Sequence, residues 1–94
     1  MAPSSRAGED ISMRRRRLRY RAWHRGTREL DLLLGPYTDA EIDRMGPVEL
    51  DRLERLLGHE ETDLQAWLLS SSEPPPGVDR ELLDRIITHK TSTS

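Results

Sequence analysis

The chain contains no cysteine and no phenylalanine, and its aromatic residues are only two Trp and two Tyr. Without thiols it can form neither disulfides nor zinc or iron–sulfur sites built on Cys ligands, and it suits a reducing compartment. His24, His59 and His89 lie far apart and lack metal-ligand spacing, so no metal is expected. No apolar run approaches the roughly 20 residues of a membrane span. None resembles the apolar core of a signal peptide either, so a soluble, intracellular protein without membrane insertion is expected. There is no Gly-rich phosphate loop and hence no independent dinucleotide site. Segments with period-2 alternation are missing and β-branched residues are few, which argues against strands. The acidic groups Glu60-Glu61 and Asp39/Glu41/Asp43 read as solvated faces rather than paired catalytic carboxylates. No catalytic residue is expected.

What the chain does have is charge, unevenly placed. Its 94 residues carry a net charge of −2. Residues 1–30 hold nine Arg against Glu9, Asp10 and Glu29, whereas residues 31–94 hold six basic groups against fourteen acidic ones. Such polarity between halves suggests an oriented encounter with a partner. A chain of this length is one domain, and a small core supplies only a few kcal/mol of net stability.

The expected organisation is a disordered tail over 1–11, a single helical domain over 12–89 and a second disordered tail over 90–94. A first helix runs from Ser12 to about His24, with Met13, Leu18, Tyr20, Ala22 and Trp23 as a thin apolar set. Thr27–Leu34 forms a second, burying Leu30, Leu33 and Leu34, and Gly35-Pro36 ends it. Thr38 to Glu41 reads as a capping box that opens a short helix through Met45. Pro47 starts the next helix, which places Leu50, Leu53, Leu56 and Leu57 on one face and stops at Gly58. Thr62 caps a helix over Asp63–Leu69, with Leu64, Trp67 and Leu68 inward. Ser70 to Gly77 is a semi-rigid Pro-rich linker. A last helix over Asp79–His89 turns Leu82, Leu83, Ile86 and Ile87 inward. The fold class is all-α, a compact bundle of five or six short helices.

The strongest local signal is Trp23-His24-Arg25-Gly26-Thr27-Arg28-Glu29-Leu30-Asp31. A glycine inside a helix costs about 1 kcal/mol relative to Ala. Here it marks either a helix junction or a place where another molecule comes close. In the second reading Arg25, Arg28 and Glu29 ring the contact with directional charges. Trp23 either packs under the motif or projects into the interface, and His24 beside arginines reads as a surface residue. Trp67 reads as core. Asp31, on a different helical face from Glu29, caps or pairs locally.

These residues closely resemble the flavinylation-factor family of succinate dehydrogenase, the small bacterial FAD assembly factor and its mitochondrial relatives. The family hallmark Arg-Gly-x-x-Glu stands here as Arg25-Gly26-Thr27-Arg28-Glu29, followed by Leu30-Asp31. A second matching stretch is Asp63-Leu64-Gln65-Ala66-Trp67-Leu68, and the Pro-rich break with its closing amphipathic helix also agrees. The likeness covers about residues 17–88. It implies a helical bundle that is not an enzyme and that binds the flavoprotein subunit of succinate dehydrogenase, in bacteria also of fumarate reductase. That binding promotes covalent attachment of FAD to a histidine of the subunit by positioning and population shift. The resemblance implies that Arg25, Gly26 and Glu29 touch the flavoprotein near its flavin and dicarboxylate site, and their neighbours Arg28, Trp23 and His24 complete the expected partner-binding set. FAD belongs to the partner. The compartment is the cytoplasm, or the mitochondrial matrix in a eukaryote.

The Arg14–Arg17 run is not assigned by the resemblance. It reads as a solvated, partly frayed first helix. It also supplies the alternative function: a regulatory or antitoxin-like bundle that takes nucleic acid or another protein through this basic helix. The acidic remainder and the scarcity of aromatics for base stacking weigh against nucleic acid.

Overall fold

The computed structural model describes residues 10–93, with side chains through Lys90. The expected N-terminal tail falls mainly on residues 1–9, outside the described ones. Five α-helices follow one another: α1 (Ile11–Trp23), α2 (Arg28–Glu41), α3 (Pro47–Leu57), α4 (Glu61–Leu69) and α5 (Arg80–Thr93), with one 3-10 turn, Ile42–Arg44, after α2. Among the described residues there is no strand, as the all-α reading expects. No helix among the described residues is long and apolar enough to cross a membrane.

Most helix starts carry the chemistry that satisfies free N–H groups. Asp10 accepts from Met13 N–H at 2.8 Å, Thr27 from Leu30 N–H at 3.3 Å and Asp79 from Leu82 N–H at 3.1 Å. Pro47 opens α3 behind Gly46, whose N–H donates to Glu49. At the end of α4, Ser71 takes a φ of +58°, and the Ser72 N–H closes onto the Ala66 carbonyl.

α2 is the central helix, touching α1, α4, α5 and the 3-10 turn. It buries Leu30, Leu33, Leu34, Tyr37 and Thr38. The core is completed by Leu18 and Ala22 of α1, Ile42 and Met45 after α2, four leucines of α3, Leu64, Trp67 and Leu68 of α4, and Leu82, Leu83 and Ile86 of α5. Trp67 is therefore core, with the His59 ring edge-on against it at 5.1 Å.

Several expected boundaries differ. Gly35-Pro36 does not end α2, which runs through both residues to Glu41. Burial of Leu33, Leu34 and Tyr37 outweighs the backbone hydrogen bond that Pro36 removes. Thr38 to Glu41 is consequently the last turn of α2 and opens no helix. Thr38 is fully buried, and its hydroxyl finds no partner among the described residues. Thr62 does not cap α4: the helix starts at Glu61, and the Glu60 carbonyl accepts from Leu64 N–H. Ile87 stands at the edge of the α5 stripe and is 37% exposed. Lys90–Thr93, expected to be tail, continue α5.

The arginine run behaves differently from a solvated helix. Arg14 pairs with Asp51 and with Glu54, the latter at 3.0 Å, and Arg17 reaches Glu54 at 3.1 Å. Arg15 donates to the Ile42 and Met45 carbonyls at 3.0 and 2.8 Å. Arg19 holds Asp39 at 3.0 Å, and Arg21 donates to the Leu57 carbonyl at 3.0 Å. The basic half of the chain thus folds onto the acidic half, and much of the charge polarity closes within the molecule. α1 buries only Leu18 and Ala22. It is anchored by guanidinium forks as much as by apolar area.

A further ion pair joins α3 to α5. Arg52 grips Asp79 with both ends of its fork, at 2.6 and 2.8 Å, and touches Glu81 at 3.0 Å. This contact, aided by the Leu82 N–H, holds the Asp79 carboxyl below the usual carboxylate range. A lowered native pKa stabilises the fold above the unfolded value near 4, and that contribution is lost as pH falls through the native value. Asp79→Asn should cost about 1–2 kcal/mol at pH 7 through the weakened Arg52 pair, since Asn caps a helix as well as Asp does. Urea unfolding should show the gap between variant and wild type narrowing at pH 3.

Candidate functional site

The turn between α1 and α2 is built residue by residue from its flanks. His24 ends α1: its Nδ1 donates to the Tyr20 carbonyl at 2.7 Å, and its ring stacks on Tyr20 with centroids 4.0 Å apart. Arg25 turns its backbone N–H to Asp31 at 2.7 Å and its guanidinium to the His59 carbonyl at 3.1 Å. Its Nε is buried without a partner among the described residues. Gly26 has a φ of +119°, in the region that favours glycine. Its missing Cβ would stand 2.9 Å from the Glu61 carboxylate, a flexible group that can yield, so the backbone angle is the stronger constraint. Thr27 caps α2, which leaves Arg28 and Glu29 exposed on its first turn.

The result is an open groove of about 500 Å³ lined by Trp23, His24, Gly26, Arg28, Asp31 and Leu32, with Thr27 at its end. Four of the six expected partner-binding residues line it: Trp23, His24, Gly26 and Arg28. Glu29 is exposed beside it. Arg25 is the exception, because its side chain reaches back to the α3–α4 turn and braces the loop. Asp31 pairs locally, as its position off the Glu29 face suggested, and its partner is the Arg25 backbone. Among the described residues His24 has no carboxylate partner, and its geometry is that of a helix end.

Trp23 packs beneath the groove. Its Nε1–H donates to Asp39 at 3.1 Å, and its indole lies across Gly35, where a Cβ would fall 2.3 Å from two ring atoms. Gly35 is therefore a close-approach glycine. Sequence reasoning missed Gly35, Asp39, His59 and Glu61 as supports. Gly35 lies twelve residues after Trp23 and on another helix, so no local pattern links them.

A second groove of about 560 Å³, at the far end of α2, is lined by Tyr37, Glu41, Glu81, Asp84, Arg85 and His89, with Thr88. Much of its charge is already paired, Arg85 with Glu81 at 3.2 Å and Glu41 with Arg44 at 3.0 Å. Among the described residues no group of three His, Cys, Asp or Glu could hold a metal ion.

A sequence family described as flavinator of succinate dehydrogenase matches residues 16–90. FAD assembly factor SdhE of Acetobacter pasteurianus is 36% identical over 81 residues, covering 86% of this chain and 74% of that protein. The mitochondrial succinate dehydrogenase assembly factor 2 of Aspergillus flavus is 36% identical over 77 residues, 82% of this chain and 25% of its own length. That of Caenorhabditis elegans is 35% identical over 74 residues, 77% of this chain and 62% of its own length. The chain thus spans most of the bacterial relative and less than two thirds of these mitochondrial ones. No solved structure matches it significantly.

The Trp23–Gly35 contact gives a signed prediction. Gly35→Ala should lower stability by about 1–3 kcal/mol through overpacking against the indole. In a Trp23→Ala background the same change should be neutral or stabilising, since Ala is the better helix former by about 1 kcal/mol. Urea unfolding of the four proteins measures both, and an equal cost in the two backgrounds would show that the indole is not the obstacle.

Proposed function

We propose, because the chain belongs to the family described as flavinator of succinate dehydrogenase, that it is an assembly factor for that enzyme's flavoprotein subunit and promotes covalent attachment of FAD to it. Fumarate reductase flavoprotein is a second client on this reading. The observation that carries it is the presentation of Gly26 and Arg28 at an open groove, with Glu29 exposed beside it, on a turn braced from behind by Arg25 and Asp31.

The chain acts by binding rather than by chemistry. The bond between flavin and histidine forms inside the partner, and FAD stays with the partner throughout. Arg28 offers a planar fork to a carboxylate, Glu29 accepts from a cationic or N–H donor, and Gly26 lets a partner backbone approach. Docking these groups narrows the flavoprotein to conformations in which flavin and histidine are aligned, which is catalysis by positioning in another molecule. The protein is a non-enzyme of the cytoplasm, or of the mitochondrial matrix in a eukaryote. The alternative of a nucleic-acid-binding bundle loses its main support, since Arg14, Arg15, Arg17, Arg19 and Arg21 engage acceptors within the molecule.

The test is deletion followed by in-gel flavin fluorescence of the flavoprotein subunit, where unchanged covalent flavin sinks the reading. Complementation with Glu29→Ala or Arg28→Ala should fail to restore fluorescence while the melting temperature stays within a few degrees of wild type. Affinity for the flavoprotein should drop about 10- to 100-fold for each variant, roughly 1.4–2.8 kcal/mol.

A further inference from the structure

We propose that the docking surface extends from the groove along the outer face of α1, and that this strip takes an apolar segment of the flavoprotein flanked by carboxylates. The inference rests on the partner reading above.

Met13, Arg16, Tyr20 and His24 recur at steps of three and four residues, which sets them on one face of a helix. That face is open: Met13 is 55% and Tyr20 65% exposed, and Arg16 and His24 are exposed as well. From Met13 to His24 the strip is about 16 Å long. It meets the groove without a break, because the Tyr20 ring stacks on His24 and His24 lines the groove. Leu32, 52% exposed, stands on the groove's α2 side and continues the apolar surface.

Charge decides what fits. The other arginines of α1 turn to acceptors on α2, α3 and the 3-10 turn. Arg16 lies on the outer strip and Arg28 on the groove rim, so Tyr20 and Leu32 lie between two guanidinium groups, with Met13 one turn beyond Arg16. The complementary surface is apolar in the middle and acidic at both ends. Exposed Tyr and Arg are the residue types that anchor interfaces, and a guanidinium pairs a carboxylate through two parallel bonds.

Isothermal titration of the full chain against the flavoprotein subunit tests this. Tyr20→Ser and Leu32→Ser should each weaken binding at least about tenfold. Arg16→Glu should weaken it similarly at low salt, by a factor that shrinks at about 0.5 M salt. Val48→Ser, an equally exposed change on α3 away from the strip, should bind within about twofold of wild type. All four side chains are exposed, so each variant should melt near the wild-type temperature. If one unfolds, the remaining strip variants carry the test. Wild-type binding by Tyr20→Ser, Leu32→Ser and Arg16→Glu, alongside loss in Glu29→Ala, overturns the strip and leaves the partner reading standing. Equal losses in Val48→Ser also overturn it. Wild-type binding by Glu29→Ala overturns the partner reading itself.

Discussion

Helix ends leave carbonyls without partners, and in this fold many of the partners come from arginine side chains. Arg15 spans the Met45 carbonyl and the Ile42 carbonyl, which also accepts from Met45 N–H, Arg21 takes Leu57 at the end of α3, and Arg25 takes His59 in the following turn. Each contact ties a turn to the α1 end of the chain. A buried carbonyl without a donor costs about 1–3 kcal/mol, so these contacts matter more than exposed ion pairs, which contribute about 0–1 kcal/mol. A lysine could not replace Arg15, since one ammonium on a single stem cannot hold two carbonyls with the geometry of a planar fork.

The same device shapes the groove. Because the Arg25 guanidinium is engaged at His59 and its N–H at Asp31, the turn that carries Gly26 is held at both ends. Thr27 then starts α2 at a defined angle, and Arg28 and Glu29 project from a helical turn rather than from a loose loop. A site placed on a rigid element loses less entropy when a partner binds. The Trp23–Gly35–Asp39 contact supports it from below. The core of α2 and the groove at its start are thus two faces of one helix, with Leu30, Leu33 and Leu34 facing in and Arg28, Glu29 and Leu32 facing out.

Where the sequence was informative, periodicity carried the information. Leucines at i, i+3 and i+4 located the inner faces of α2, α3 and α4, and Gly46-Pro47 located the start of α3. The misreadings at Gly35-Pro36 and Thr38 share a cause. Both sites have strong local preferences, and both lie where packing outweighs them. Gly35 reads as a helix stop until the indole lying on it is seen. The arginine run was opaque for a different reason: its acceptors are mainly backbone carbonyls and carboxylates 20–40 positions away, and backbone carbonyls have no sequence signature. Of the motif, the exposed pair Arg28 and Glu29 could be read from spacing. The inward turn of Arg25 depends on the placement of the α3–α4 loop.

The composition of α1 also bears on the order in which the molecule assembles. Six of its thirteen residues are arginines, only two of its side chains are buried, and like charges three and four positions apart repel in an isolated helix. Its acceptors lie on segments that come later in the chain. The α1 segment alone is therefore a poor helix, and its helicity is conditional on a scaffold formed by α2 and α3. Were α1 to dock after that scaffold has formed, weakening its arginine contacts would accelerate unfolding while leaving the folding rate nearly unchanged.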